Sequence, residues 1–244
     1  MATINYLRRP RRTRTPGNLT GQADVPAPVP AWVPTDIAGC KLWLDVSQIT
    51  GLSNGDDISS MTDLSGNSNN LAQRTVSQNP HYTTNAINSL PVMRGTAAAS
   101  STWDVPWTYS SPCTFFYVGR KNSGTAGRIL SGKNNNWLMG HWSSYENQYY
   151  AVGWVGANSD VAHTTNVHVW SAITSTTSYL WKNGTLVKSG TGGTTAPSGL
   201  TIGYNGTSEF TDHDVGEIIG YNVALSTTDR QTVENYLKDK WGVA

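Results

Sequence analysis

The stretch EFTDHDVGE, residues 209–217, holds four of the chain's sixteen acidic residues within nine positions. Side chains alternate along a strand, so Asp212 and Asp214 would share one face of it. Glu217 joins that face only if a bulge inserts an extra residue. Two carboxylates about 5–5.5 Å apart suit retaining glycoside hydrolysis, one as nucleophile and the other as acid. The competing reading is a loop running into an ordinary sheet strand.

A second stretch points to binding. NNNWLMGHWSSYENQYY, residues 134–150, sets Trp137, His141, Trp142, Tyr145, Tyr149 and Tyr150 among Asn, Glu and Gln. Trp and Tyr combine an apolar body with a polar tip. A sugar ring can stack its C–H face on such a surface while amides and carboxylates meet its hydroxyls. Trp137, His141, Trp142 and Tyr145 are therefore the candidate glycan-binding residues. Against this, the chain has only three Phe, so Trp and Tyr must fill much of any core. Trp103 and Trp107 in STWDVPWTY carry the same two readings.

Other chemistries find less support. The sequence has no GxSxG elbow, HExxH helix or P-loop. His141, His163, His168 and His213 are scattered singly, and no metal site is expected from them. Cys40 and Cys113 stand far apart without CxxC spacing, which excludes a cysteine zinc site and reads as two buried free thiols. DLSGNSNN offers Asp63, Ser65, Asn67 and Asn69 in alternation, oxygen donors hard enough for calcium. With one carboxylate in the run, a backbone turn is the preferred reading. No cofactor is expected, and calcium at this loop is the alternative.

Residues 1–36 are a different material. Five arginines, Arg8, Arg9, Arg11, Arg12 and Arg14, precede the first acid, Asp24; the remaining twelve basic and sixteen acidic residues leave the rest at −4. Six of the eleven prolines fall here, and VPAPVPAWVP should be an extended, semi-stiff spacer. Trp32 interrupts it as a docking aromatic. No run approaches the ~20 apolar residues of a membrane span, and the residues after the arginines lack the apolar core of a signal peptide. On that ground Asn18, Asn183 and Asn205 are expected to be unmodified. An arm of this charge attracts phosphate, yet the remainder shows no basic patch or nucleic-acid module, so nucleic acid is not the expected partner.

From residue 37 on, the pattern is short β segments separated by turn residues. CKLWLDV puts Leu42 and Leu44 on one face and Lys41, Trp43 and Asp45 on the other. CTFFYVG, 113–119, is nearly continuous in apolar residues, as a strand buried on both faces requires. NVHVWSAIT, LTIGYN and VGEIIGYNV supply further strands. In YLWKNGTLVK, Asn183-Gly184 suits the type I′ turn of a hairpin, whose central residues both take positive φ. STTDRQTVENYLKDKWG predicts a helix. Ser226 is its N-cap with Asp229 at the capping-box spacing, Val233, Tyr236, Leu237 and Trp241 form its apolar stripe, and Gly242 is its stop. Many strands and one terminal amphipathic helix make a β-sandwich with a helix laid against it.

Three stretches together resemble the laminin-G-like branch of the concanavalin A-like lectin/glucanase superfamily. They are residues 42–73, LWLDVSQITGLSNGDDISSMTDLSGNSNNLAQ, the hairpin YLWKNGTLV, and the close GEIIGYNVALSTTDRQTVENYLKDKWGV. The resemblance covers roughly residues 38–243 and departs at Met61, where such domains often carry Trp. It implies an all-β, antiparallel jelly-roll sandwich over 37–244 behind the 1–36 arm. It also implies a setting, because domains of this look are common in tailed-phage structural proteins and in bacterial surface proteins. Glucanases of the superfamily open their acidic pattern with Glu, whereas DHDVGE opens with Asp, and VGEIIGYN matches the structural closing strand instead.

The resulting expectation is a non-enzymatic bacteriophage virion structural protein, a capsid decoration or fibre component. Its arm would dock through arginine forks on the major capsid or another virion protein, and its jelly-roll would face outward, touching host-surface glycans. It would be made in the host cytoplasm without a signal peptide and reside on the virion surface. The alternatives are a glycan-cleaving enzyme using Asp212, Asp214 and Glu217, and a free lectin or bacterial surface adhesin.

Overall fold

The computed structural model describes residues 32–244 except 74, 124–126, 159–160 and 205–207. The anchoring arginines Arg8, Arg9, Arg11, Arg12 and Arg14 lie outside the described residues. The chain divides into two units, Met1–Trp32 and Val33–Ala244, and every described strand and helix belongs to the second. Pro34–Asp36, assigned by composition to the arm, fold as a 3-10 turn with Val33 as its N-cap, the Tyr221 hydroxyl donating to the Pro34 carbonyl (2.9 Å). The folded unit thus starts slightly earlier than composition alone indicates.

Fifteen strands and one α-helix form among the described residues. In chain order they are β1 (Cys40–Asp45), β2 (Ser60–Met61), β3 (Leu71–Gln73), β4 (His81–Ile87), β5 (Leu90–Gly95), β6 (Trp103–Thr108) and β7 (Cys113–Lys121). There follow β8 (Leu130–Gly132), β9 (Trp137–Trp142), β10 (Tyr145–Ala151), β11 (His168–Thr174), β12 (Ser178–Lys182), β13 (Thr185–Gly190), β14 (Ser198–Ile202), β15 (His213–Tyr221) and α1 (Thr227–Trp241). One antiparallel sheet runs β13-β12-β11-β7-β15-β5-β4, with β1 continuing the edge of β15 that β5 occupies. The other runs β10-β9-β8-β14-β6-β3-β2. The two pack into the sandwich that the sequence pattern and the resemblance led one to expect.

β7 explains the layering. Its Phe115 and Tyr117 enter the core between the sheets, beside Leu42, Leu44, Trp137 and Trp170. Phe116 and Val118 point the other way and are equally buried, because α1 lies across β7 and β11. A strand needs an unbroken apolar run when both its faces are covered. Of the stripe read from the sequence, Val233, Leu237 and Trp241 are buried and Tyr236 is half-buried; Arg230 and Glu234 are buried on the helix as well. The Ser226 side chain accepts from the Asp229 amide (3.1 Å) and donates to the Asp229 carboxylate (2.8 Å), and Gly242 closes the helix in the left-handed region at φ 66°. Asn183 (φ 52°) and Gly184 (φ 84°) make the predicted turn between β12 and β13. Met61, standing where relatives of this look often carry Trp, is buried in the same core. Cys40 and Cys113 are buried free thiols, and burial pushes both up to about 12.

Candidate functional site

The acidic stretch becomes β15 and the loop before it. A register shift between Val215 and Glu217 against β7 inserts Gly216, so Asp214 and Glu217 do share a face. Asp214 pairs with Arg120 and Glu217 with Val118 in the ladder, the side that α1 covers. Each carboxylate is held by partners of its own. Asp212 accepts from the Ala97 amide (2.7 Å), and that hydrogen bond holds its pKa low. Asp214, with no exposed side-chain surface, receives Arg94 through Nε (2.7 Å) and Nη2 (2.9 Å), and Arg120 through Nε (2.9 Å) and Nη2 (2.8 Å). Burial alone would raise the Asp214 pKa; the arginine bonds bring it below the ordinary value.

Glu217 accepts from Trp43 Nε1 (2.7 Å), Tyr236 Oη (3.0 Å), Lys240 Nζ (2.7 Å) and Trp241 Nε1 (2.9 Å). Burial and the nearby Asp45 raise its pKa, and Lys240 bridges both acids. Gly216 permits this fit: a Cβ there would come within 2.5 Å of the Trp241 ring. The bulge thus seats the terminal helix against β15.

The aromatic stretch becomes the β9–β10 hairpin, and alternation divides it. Trp137, Met139 and His141 point into the sandwich, while Leu138 and Trp142 point out. Trp137 has no exposed surface and packs edge-on against Phe115 (5.3 Å) and Tyr149 (6.0 Å). His141 is equally buried, its Nδ1 3.0 Å from Tyr117 Oη, and burial drives its pKa well down. Neither ring can reach an external sugar, which corrects two of the four glycan-binding candidates; a core short of Phe recruited them. Trp103 likewise is fully buried, and Trp107 is half-buried against Tyr109.

Trp142 is half-buried on the outer face, with Tyr145 opposite it at the mouth of the hairpin and 38% exposed. Tyr150, named with that stretch but not among the four candidates, and Trp154, not singled out from sequence, complete a site with Trp142. Tyr150 pairs with Leu138 on the same outer face, and the chain turns after β10 to bring Trp154 into a bridge with Tyr150. The Trp154 ring meets Trp142 at 5.3 Å and 60°, and Tyr150 at 5.1 Å and 82°. Arg128, Asn136, Leu138 and Glu209 join these three rings around a cleft of about 240 Å³. Arg128 donates from Nε to Glu209 Oε2 (2.5 Å) and from Nη1 to Asn136 Oδ1 (2.7 Å). Trp142 Nε1 donates to Glu209 Oε1 (3.1 Å), which fixes the indole. The Arg128 side chain is 9% exposed and that of Glu209 28%. Burial draws the Arg128 pKa down and Glu209 opposes it, and an arginine stays charged throughout the ordinary pH range. The arrangement offers ring faces, an amide and a held carboxylate at one opening. Tyr145 lies outside its lining.

The loop weighed for calcium closes on itself. Asp63 accepts from the amides of Trp43, Ser65 and Asn69 and from the Ser65 hydroxyl. Asn67 takes Lys41 Nζ on its side-chain oxygen (3.2 Å), and Asn69 Nδ2 donates to the Lys41 carbonyl (2.7 Å). These oxygens serve turn geometry. Among the described residues, no three His, Cys, Asp or Glu side chains cluster as metal ligands. No described helix is long and apolar enough to cross a membrane. Trp32, the last residue of the N-terminal unit, is the first described one.

No protein-family model and no curated protein matches the chain. Its fold is shared with several solved structures. It is similar to the binding domain of Paraclostridial Mosquitocidal Protein 1, with TM-score 0.58 and 14% identity, covering 84% of this chain and 53% of that one. Domain 4 of AbnA, a GH43 extracellular arabinanase from Geobacillus stearothermophilus, in complex with arabinotriose, gives TM-score 0.59 and 13% identity over 80% of this chain and 98% of that domain. Trypanosoma rangeli sialidase in complex with sialic acid gives 0.53 and 12%, over 84% of this chain and 33% of the sialidase. This chain thus spans about half the length of the first of these and nearly all of the second. At such identities the likeness concerns the fold alone, an antiparallel two-sheet jelly-roll sandwich.

Proposed function

We propose that this protein is a non-enzymatic glycan-binding module whose cleft, lined by Trp142, Tyr150 and Trp154, takes a saccharide from a cell surface. The observation that carries the proposal is the outward cluster of three aromatic rings beside a fixed carboxylate and amide. A sugar presents an apolar C–H face to such rings and hydroxyls to such groups. One domain of the same fold, domain 4 of the arabinanase AbnA, was solved in complex with arabinotriose, which favours a saccharide ligand here. The carboxylates of the acidic stretch are each engaged by structural partners, which favours binding over cleavage.

The finer reading places the module on a bacteriophage virion, as a capsid decoration or fibre component. Five arginines without an acid, followed by a proline-rich spacer, support an arm that docks its bidentate forks in an acidic groove of the major capsid or another virion protein. The jelly-roll then sits at the virion surface, facing host glycans.

A glycan array probed with the wild type and Trp154→Ala tests the module. Signals should appear for the wild type and vanish for the variant while circular dichroism stays unchanged; equal signals would remove the cleft from the account. Deleting residues 1–31 tests the anchor, and copurification of the truncated protein with particles would refute it. Release of reducing ends from a polysaccharide panel would refute the non-enzymatic reading.

A further inference from the structure

The cleft has a charge balance that selects among glycans. Among the described residues, its lining contains one cation, Arg128, and one anion, Glu209, and the other lining residues, Asn136, Leu138, Trp142, Tyr150 and Trp154, are neutral. Arg128 is already committed, with Nε on Glu209 and Nη1 on Asn136. Glu209 is the more exposed partner, 28% against 9%. An incoming ligand therefore meets the carboxylate before it can reach the guanidinium.

We infer that this cleft accepts neutral saccharides and rejects those carrying a carboxylate, such as sialylated or uronic-acid glycans. The inference rests on the glycan-binding reading and names its ligand class. A ligand carboxylate at this opening faces a like charge, and like-charge juxtaposition in a partly desolvated site is unfavourable. To reach Arg128 it must displace Glu209 from a charge-assisted bond and strip Trp142 of its indole acceptor. A neutral sugar does neither. Its hydroxyls can donate to the carboxylate that the salt bridge holds in place, and its C–H face meets the rings.

The test uses the full chain and oligosaccharides in pairs, each neutral chain beside the same chain capped with sialic acid or glucuronic acid, titrated by calorimetry. Wild type should bind the neutral member at least about tenfold more tightly, a difference of ~1.4 kcal/mol. Its neutral binding should hold between low and high salt, since no charge is recognised. Glu209→Gln keeps an acceptor for Trp142 Nε1 and leaves Arg128 without its carboxylate, so it should raise affinity for the acidic member and bring the pair to within about threefold. Should Glu209→Gln lose its fold, the wild-type ratio and salt profile decide alone. Tighter or equal wild-type binding of the acidic members overturns the inference and leaves glycan binding intact. Binding of no member of any pair overturns both.

Discussion

Two ionic groups in this protein use the same residue types to opposite ends. On the outer face of β9, Arg128 and Glu209 meet at the edge of a cleft, and the carboxylate keeps over a quarter of its side-chain surface. On the helix-facing side of β15, Arg94 and Arg120 converge on Asp214, which keeps none. On the glycan-binding proposal the first pair stays in place and faces a ligand. The second can only hold the sheet. Exposure, rather than the identity of the residues, separates a recognition group from a structural one.

Breaking each group should show the difference, most sharply at β15. Asp214→Ala leaves two guanidinium groups beside a buried, vacated position, and loss of one member of such a pair costs about 3–5 kcal/mol. Urea unfolding should show that drop, while the fraction still folded binds glycan as before. Glu209→Ala leaves the nearly buried Arg128 with Asn136 as its remaining named partner; it should cost about 1–3 kcal/mol, less than Asp214→Ala, and alter ligand choice. Equal losses of stability in the two variants would erase the distinction between the regions.

The same contrast appears within one strand, between Trp137 and Trp142. Removing a wholly buried Trp opens a cavity and costs about 3–5 kcal/mol. Trp137→Ala should therefore lower the unfolding midpoint strongly and leave binding in the native fraction unchanged. Trp142→Ala should do the reverse, with binding lost and a smaller shift in midpoint. A Trp142→Ala protein that binds normally would place the ligand elsewhere.

Legibility in the sequence tracks the range of the interactions. The Asn183-Gly184 turn, the Ser226 cap and the unbroken apolar run of β7 are local signals, and all three were legible. The bulge before Glu217 was legible as a condition, but not the helix that closes over it, since Lys240 and Trp241 reach Glu217 from 23 and 24 residues away. The cleft was harder still. Glu209 meets Trp142 across 67 residues and Arg128 across 81, separations at which no spacing rule operates. Trp137 and Trp142 look alike as residues, and only the alternation of β9, with Trp142 at the opposite parity to Trp137 and His141, divides core from surface. That signal lay in the sequence unused.

Acid should weaken the interior of the sandwich before it touches the cleft. His141 and His213 are buried neutral, with burial holding both below the ordinary value of 6.5. Around His141, Lys121 and His168 oppose its protonation and Glu146 favours it. Glu146 bonds to Lys182 Nζ (2.5 Å) and lies 3.5 Å from His168 Nε2. Burial would raise its pKa, but His168 and Lys182 bring it to about 2 from 4.5. All three folded-state values lie below the unfolded ones, so each contributes stability that is present above the unfolded value and lost as pH falls. Unfolding free energy should thus hold near pH 7, decline below about 6.5 as the unfolded state takes up protons on the histidines, and decline further below 4.5. His141→Phe should flatten the first decline. A stability that rises between about pH 6.5 and 5 would contradict this arrangement.

The smallest effect belongs to the helix cap. Ser226→Ala removes the acceptor for the Asp229 amide and the donor to the Asp229 carboxylate, a change worth ~1 kcal/mol at an N-cap. The loss should appear as a modest drop in unfolding midpoint, because Trp241 and Lys240 still pin the far end of α1 to Glu217. Binding should not change, since the cap lies on the covered side of the first sheet and the cleft on the outer face of the second. A Ser226→Ala variant that lost glycan affinity would mean that helix and cleft are coupled through the core, and the two regions would no longer be separable.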